Sequence, residues 1–498
     1  MKIVKQIMIP IIILSIGIFL GKYFFGKSSG SIPAPMPTYF NQVTTAGDST
    51  GMGAGTITGK TFEIKEGQSI QEAVGKANPG DLIRIYPGTY SETVYIDKDN
   101  ISLQGVIQNG EWPVLDGKKT MNDAILYSGN GILIENLKIT NYKGNGIMGQ
   151  AGNNYVIRNN WIIDTGVYGI FPQYGKNGLV ERNIVSGIAD AAIYIGMCDN
   201  IDVRFNEVFD NVAGIEIENS RHALVEFNYA HNNTGGILAF LTQGLPIKTC
   251  YDVIIRSNYV INNNHDNFGA VGSTVSHIPK GTGILILAAD DVTIENNIVM
   301  GNDNVGLTIT DYAYAGFDQS HDPESEPNSD RIVVLDNFMQ NNGNNPNDEI
   351  KILMATSLSK LGPDVLAVGG GVGSCVSNPS RFRYFGLDSY ASCVASDTRK
   401  VISYMLDKPV APRVTSLSGK GKMTYYGVCS GCHSYSTRLI GPPVNVIQAL
   451  YKDNPKGIMD YIANPVHKRE DYPEMPPQNY LSEETRSEVA KYMLTLTK

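Results

Sequence analysis

A parallel β solenoid followed by a small all-α domain is the fold this chain predicts. Three observations predict it. Asparagine recurs beside short aliphatic runs with a period of 22 to 23 residues. A small residue followed by an aliphatic one recurs with it, at Gly146-Ile147, Gly169-Ile170, Ala192-Ile193, Gly214-Ile215, Gly236-Ile237, Gly283-Ile284 and Gly306-Leu307. The last eighty or so residues drop that period and carry helical spacing around Cys429-Ser430-Gly431-Cys432-His433.

Composition bounds the chemistry. The 498 residues have room for two or three domains. Forty Lys and Arg stand against 49 Asp and Glu, a net charge of −9, which argues against a nucleic-acid partner. The excess is uneven: residues 417–498 hold ten basic and eight acidic side chains, leaving about −11 on the rest. Fifty-two glycines and abundant asparagine favour turns over long helices.

The chain opens with Lys2 and Lys5, an apolar run from Ile7 to Leu20, then Lys22. Basic-then-apolar order is an export signal. Fourteen apolar residues are short for a spanning helix and normal for a signal peptide. No small-x-small cleavage site follows, so residues 1–26 read as an uncleaved inner-membrane anchor, with a cleaved signal peptide as the alternative. Either puts the rest in the periplasm or otherwise outside the cytoplasm. Residues 27–56, rich in Ser, Gly, Pro and Thr, read as a linker.

Residues 57–345 read as the solenoid. Gln68 to Val74 forms a capping helix, and Pro79-Gly80-Asp81 and Pro87-Gly88-Thr89-Tyr90 are turns between strands. This order resembles the entry of pectin-lyase-like right-handed parallel β-helices. In five of seven cases the step from the small-aliphatic pair to the next Asn is fourteen residues (146 to 160, 169 to 183, 192 to 206, 214 to 228, 283 to 297). One period is then one coil of three strands, and coils stack at ~4.8 Å. Asn136, Asn160, Asn183, Asn206, Asn228, Asn258, Asn297 and Asn337 should form a column at an inner turn, bonding to one another and to backbone. Cys198 and Cys250 each lie eight before a column Asn, with Ser220 holding that place in the coil between. They would sit ~9.6 Å apart, too far for a disulfide, so both are expected free and buried. The stretch from Ile188 to Ser220 closely resembles a family of exported bacterial β-helix proteins, which implies fold and export rather than a reaction.

The repeat is interrupted around Leu241 to Thr249, Asn263 to Lys280 and Asp311 to Ser329, on consecutive coils. Loops on a rigid solenoid are where function is kept. They carry His265, Asp266, His277, Tyr312, Tyr314, Asp318, His321 and Asp322. β-Helix lyases and epimerases of acidic sugars need a base, a proton donor and a cation that neutralises the sugar acid. His321-Asp322-Pro323 runs in the wrong order for the Asp-Pro-His motif of alginate epimerases, so no catalytic residue is assigned. Glu216 and Glu218 should point outward; a calcium or sugar contact is one reading, and a solvated strand face is the favoured one.

Residues 346–406 read as a cap over the open end of the solenoid. Cys375 and Cys393, eighteen apart, are the candidate disulfide, since export permits pairing. Residues 407–420, with Pro409, Pro412 and Gly419, read as a hinge.

Residues 421–498 carry the clearest chemistry. Cys-x-x-Cys-His is the attachment pattern of a c-type haem: Cys429 and Cys432 bond to the porphyrin edge, and His433 lies under the iron. Zinc would need four closed ligands, and only His467 lies nearby as a spare. A redox dithiol would want a βαβ context, which the sequence lacks. Met475, in Pro473-Glu474-Met475-Pro476-Pro477, is the favoured second axial ligand, forty-two residues on (475 minus 433), with Met423, Met459 and His467 as competitors. Residues 417–498 resemble a small class I cytochrome c. In that family Ile440-Gly441-Pro442-Pro443 supplies the backbone carbonyl that holds the proximal imidazole. The last helix is capped by Ser482, has Glu483 and Glu484 at its positive end, and packs across the first.

The sequence therefore favours an envelope electron carrier with one covalent haem c, a redox partner protein and a β-helix that positions a partner or a polysaccharide. A β-helix polysaccharide lyase or epimerase with an auxiliary cytochrome is the alternative, and a non-catalytic carbohydrate-binding scaffold a third. Whether the chain is an enzyme is left open.

Overall fold

A computed structural model describes residues 55–356, 359–394, 398–414 and 416–497. The anchor or signal peptide expected at 1–26 and nearly all of the linker lie outside these residues. Among the described residues, no helix is long and apolar enough to cross a membrane.

Three parallel sheets of thirteen, eleven and ten strands wind into a solenoid, each full coil giving one strand to each sheet. The small-aliphatic steps fall in register: Ile147, Ile170, Ile193, Ile215, Ile237, Ile284 and Leu307 pair in turn along the eleven-stranded sheet. All seven are fully buried, so one column of aliphatic side chains runs through seven coils. A helix, Ile70–Lys76, closes the first end, with the Ser69 hydroxyl accepting from the Glu72 N–H and Ile70, Ala73 and Val74 turned inward.

The asparagine column is a continuous ladder. The Nδ2 groups of Asn160, Asn183, Asn206, Asn228, Asn258 and Asn297 each donate to the Oδ1 of the next, at 2.9 to 3.1 Å, ending on Asn337. Asn136 is not a member. The ladder position in its coil is Leu137, whose N–H donates to Asn160 Oδ1. Asn136 instead starts a column of left-handed corner residues that continues through Asn159, Arg182, Phe205 and Phe227, with φ between 55° and 61°. That conformation is unfavourable for Arg and Phe, and the buried ladder beside it offsets the strain. A second ladder, Asn211, Asn233, Asn263, Asn302 and Asn342, runs five residues after the first and ends on Asp364 Oδ1 at 3.1 Å.

The solenoid does not end near residue 345. Strands Val365–Val368, Cys375–Val376, Tyr384–Phe385 and Ala391–Ser392 extend two of the sheets. Residues 346–406 are thus partly further coils, with helix Asp348–Thr356 at the flank. A disulfide joins Cys375 and Cys393, with Cα atoms 4.9 Å apart. Cys198 and Cys250 are free and buried.

The segment read as a hinge is strapped down. From Thr398 the chain runs back along the thirteen-stranded sheet. Arg256 Nη1 donates to Thr398 O, and the N–H groups of Tyr404, Leu406 and Val410 donate to Asp202, Asn177 and Asn154 at 2.8 to 3.0 Å. Arg413 then donates to Ala151 O and stacks on Tyr174. Helices Leu417–Thr424, Val444–Leu450, Pro455–Ala463 and Glu483–Thr495 follow. They close around Tyr425, Val444, Ile458, Ile462, Val489, Ala490 and Met493. The first and last cross at Gly421, where any side chain would strike the Glu488 backbone.

Candidate functional site

Helix Leu417–Thr424 continues into a wider π turn, Tyr425–Cys429, that delivers the Cys-x-x-Cys-His segment. The N–H groups of Cys432 and His433 both donate to Cys429 O, at 3.1 and 2.9 Å, which coils the motif into a turn. His433 Nδ1 lies 2.8 Å from Pro442 O. A carbonyl can only accept, so Nδ1 carries the proton and Nε2 is left with its lone pair. Burial holds the His433 pKa below the usual range against the Pro442 bond, so the ring is neutral. A side chain at Gly441 would overlap that ring, which fixes glycine there. Burial pushes both Cys429 and Cys432 up to about 12.

These three side chains are half-buried, and both thiols are free. Met475 and Met459 pack on the same small core. Met423 lines a cleft on the solenoid side of its helix, and His467 is exposed with Nε2 on Tyr472 O. Of the sulfur and nitrogen competitors, only Met459 shares that core with Met475. Two un-ionised thiols, a neutral imidazole with one free nitrogen and a thioether form a donor set that fits a covalently held haem.

The motif rests on the outer face of the eleven-stranded sheet. Gln173 Nε2 donates to Tyr426 O at 2.6 Å and to Ser430 Oγ at 3.1 Å. Gly427 and Gly431 let the backbone come close to Ala151 and Gln173. Tyr480 bonds to Gln150 and its ring lies 4.8 Å from that of Tyr95. Tyr435 N donates to Gly244 O at 3.0 Å, and Arg438 Nη2 to Val271 O at 3.0 Å.

Glu216 and Glu218 do point away from the solenoid core, yet they are not solvated: their exposures are 1% and 4%. The C-terminal domain and the loop around Ser273 cover them. Asp190, Tyr168 and Tyr194 share the space, and Tyr194 OH donates to Glu218. Burial, then repulsion from neighbouring carboxyls, holds Asp190 and Glu216 well above the usual carboxylate range. Burial raises Glu218 too, against bonds from Thr242 and Tyr194. Asp190, Tyr168, Tyr194 and Ser273 were not singled out from sequence. The pairing of Tyr194 with Glu216 follows from the repeat register, whereas their cover does not.

The loop histidines pair only at the surface, where His321 Nε2 lies 3.8 Å from Asp318. His265, Asp266, His277, Tyr314, Asp318 and His321 are exposed. Asp322 is buried and occupied, accepting from Lys248 Nζ and Gly244 N at 2.6 Å and from Ser325 Oγ at 2.8 Å. Tyr312 OH donates to Leu241 O, tying one insertion to another.

Residues 115–244 match the family model of the right handed beta helix region. No curated protein matches the chain. Among solved structures, the mannuronan C-5 epimerase AlgE6 A-module of Azotobacter vinelandii is 14% identical, with 62% of this chain and 78% of that one covered and a TM-score of 0.44. The alginate lyase of Paenibacillus sp. str. FPU-7 is 13% identical, with 63% and 99% covered and a TM-score of 0.43. The catalytic domain of a GH87 α-1,3-glucanase is 12% identical, with 63% and 68% covered and a TM-score of 0.36. At such identities the likeness is one of fold.

Proposed function

We propose that the chain is a haem-binding electron-transfer protein of the bacterial cell envelope, its β-helix serving as a rigid mount. The observation that carries this reading is His433 Nδ1 held on Pro442 O at the end of the turn that bears the free thiols of Cys429 and Cys432. Cys429 and Cys432 would hold one haem c, with His433 and Met475 as axial ligands. So ligated, the group supplies one-electron transfer. The protein's part is to fix the imidazole through Pro442, leave room for it at Gly441, and keep the motif oriented on the sheet through Gln173. The basic-then-apolar N-terminus supports export with an inner-membrane anchor, a periplasmic or extracytoplasmic location and a redox partner protein.

The test is the exported, full-length protein made in a host competent in cytochrome maturation. A covalently retained pigment with a six-coordinate reduced spectrum is expected. Met475→Ala should lose the sulfur–iron band while keeping the pigment. A colourless product would remove the reading, and an unchanged Met475→Ala spectrum would move the axial ligand to Met459.

A second reading is a β-helix polysaccharide lyase or epimerase, the kind of activity that the names of two fold neighbours state. What favours it on this chain is the Tyr194 hydroxyl donating to Glu218 with Asp190 and Glu216 beside them, groups able to exchange protons. New ultraviolet absorbance from unsaturated sugar ends on acidic glycans, without an electron acceptor, would support the lyase; an epimerase would change the uronate composition. Silence in both assays across a glycan panel leaves the carrier, or a carbohydrate-binding scaffold.

A further inference from the structure

A three-sided solenoid has three outer faces. The C-terminal domain rests on that of the eleven-stranded sheet, and the chain from Thr398 runs back along that of the thirteen-stranded sheet. The ten-stranded sheet keeps a bare one. In its strands the middle residue is buried, as at Ile162, Val208, Ala230 and Val260, and the two flanking residues point outward. On three consecutive coils those residues and the corner before them are rich in rings: Phe205 and Phe209, then Phe227, Tyr229 and His231, then Tyr259. Phe205, Phe227, Tyr229 and Tyr259 are 39 to 50% exposed.

The corner phenylalanines stand out. Phe205 and Phe227 hold φ of 57° and 55°, a conformation that Asn adopts at lower cost at the equivalent corners, Asn136 and Asn159. The fold of a single chain gains nothing from a strained phenyl ring left in water. The rings also spend their faces on one another. Phe205 stacks on Phe227 at 5.1 Å, and His231 stacks on Tyr229 at 4.0 Å and on Phe209 at 5.1 Å. The cluster therefore offers a flat apolar surface rather than open ring faces, which suits a protein surface better than a sugar. Asp164, Asp210 and Asp336 stand exposed along its edges, which disfavours an anionic lipid surface.

Area and charge narrow the occupant to a second copy of this chain. From the coil of Lys138 to that of Asp336 the sheet makes seven strand steps, ~34 Å, and with its corner it is roughly 14 Å wide. Two such faces together bury on the order of 1,000 Å², the least that a specific interface requires, whereas a monomer rarely leaves a continuous apolar patch above a few hundred Å². Lys138 marks one end of the face and Asp336 the other, and among the described residues neither has an ion-pair partner. A two-fold axis lying along the strands of the aromatic cluster sets two solenoids antiparallel and brings each Lys138 to Asp336 of the second copy. We propose that two copies of the chain join antiparallel through this face. The interface uses no residue of the Cys429–His433 motif or of the domain that carries it.

Sedimentation equilibrium of the full-length protein in a density-matched detergent tests the proposal. A monomer–dimer equilibrium is expected, with dimer predominant at about 100 μM. Tyr229→Lys combined with Tyr259→Lys should weaken the dimer ~100-fold or more. Lys138→Glu should weaken it ~10-fold, and Lys138→Glu combined with Asp336→Lys should restore it. The charge reversals keep the test decisive if the tyrosine variant loses its cooperative thermal transition. A parent that stays monomeric, whatever else the face binds, overturns the proposal. So does a dimer that survives in the folded tyrosine variant, or one that the double reversal leaves weakened. A colourless protein that still dimerises would remove the haem and leave this interface standing.

Discussion

Asp123 shows how one side chain couples the fold to pH. It is buried and accepts from the backbone and side chain of Asn145 at 2.9 and 2.7 Å, yet burial outweighs both bonds and lifts its pKa to about 6. The folded state therefore holds this proton more tightly than the unfolded one, and stability falls as pH rises from the ordinary 3.8 through about 6. The difference is worth roughly 3 kcal/mol. Asp123→Asn has no proton to lose, so its stability relative to the parent should improve by up to that amount between pH 3 and pH 8. Denaturant melts at the two pH values check it; a gap independent of pH would mean that the Asp123 pKa is the same in the folded and unfolded states. Asp190, Glu216 and Glu218 act in the same direction, their raised pKa values making the cluster more costly as pH rises.

At the scale of the coil, stability rests on ladders as much as on the aliphatic core. Asn206→Leu would leave the Asn183 N–H without its acceptor and take the Asn206 amide donor from the Val180 carbonyl, while Arg204 O keeps the Arg182 N–H and Asn183 Nδ2 keeps Ile157 O and Glu181 O. Each orphaned buried group costs about 1–3 kcal/mol, so scanning calorimetry should show a midpoint lower by several degrees, with pigment content unchanged. An unaltered midpoint would mean that the ladder contributes nothing net. Period alone made the first ladder and the register of the Gly-Ile steps readable. The second ladder was readable as well, since Asn211, Asn233, Asn263, Asn302 and Asn342 follow the first by a constant five residues. The true end of the solenoid was not, because strands Val365–Val368 and Cys375–Val376 carry no ladder asparagine. The burial of Glu216 and Glu218 was hidden for a different reason. Their cover comes in part from Leu439 and Ile440, more than two hundred positions on, and no local pattern encodes so distant a contact.

Across the whole molecule, the return strap is one of several ties between the solenoid and the C-terminal domain. Val410 exchanges two bonds with Asn154, its N–H to Oδ1 at 2.8 Å and its carbonyl from Nδ2 at 2.7 Å, and Leu406 N–H donates to Asn177. Asn154→Ala combined with Asn177→Ala should expose residues 406–413 to protease while the solenoid core stays resistant. Limited proteolysis with mass spectrometry reads this directly, and equal cleavage in variant and parent would show that the strap is held elsewhere.

The strap also ties chain length to coil number. It runs antiparallel to the solenoid axis from the coil of Arg256 to that of Ala151, so it must span every coil between them. Duplicating one of those coils would move its two ends apart by ~4.8 Å, more than one fully extended residue can reach. Growth by tandem duplication, the ordinary route by which such arrays gain length, is therefore coupled here to insertions of one or two residues some two hundred positions downstream.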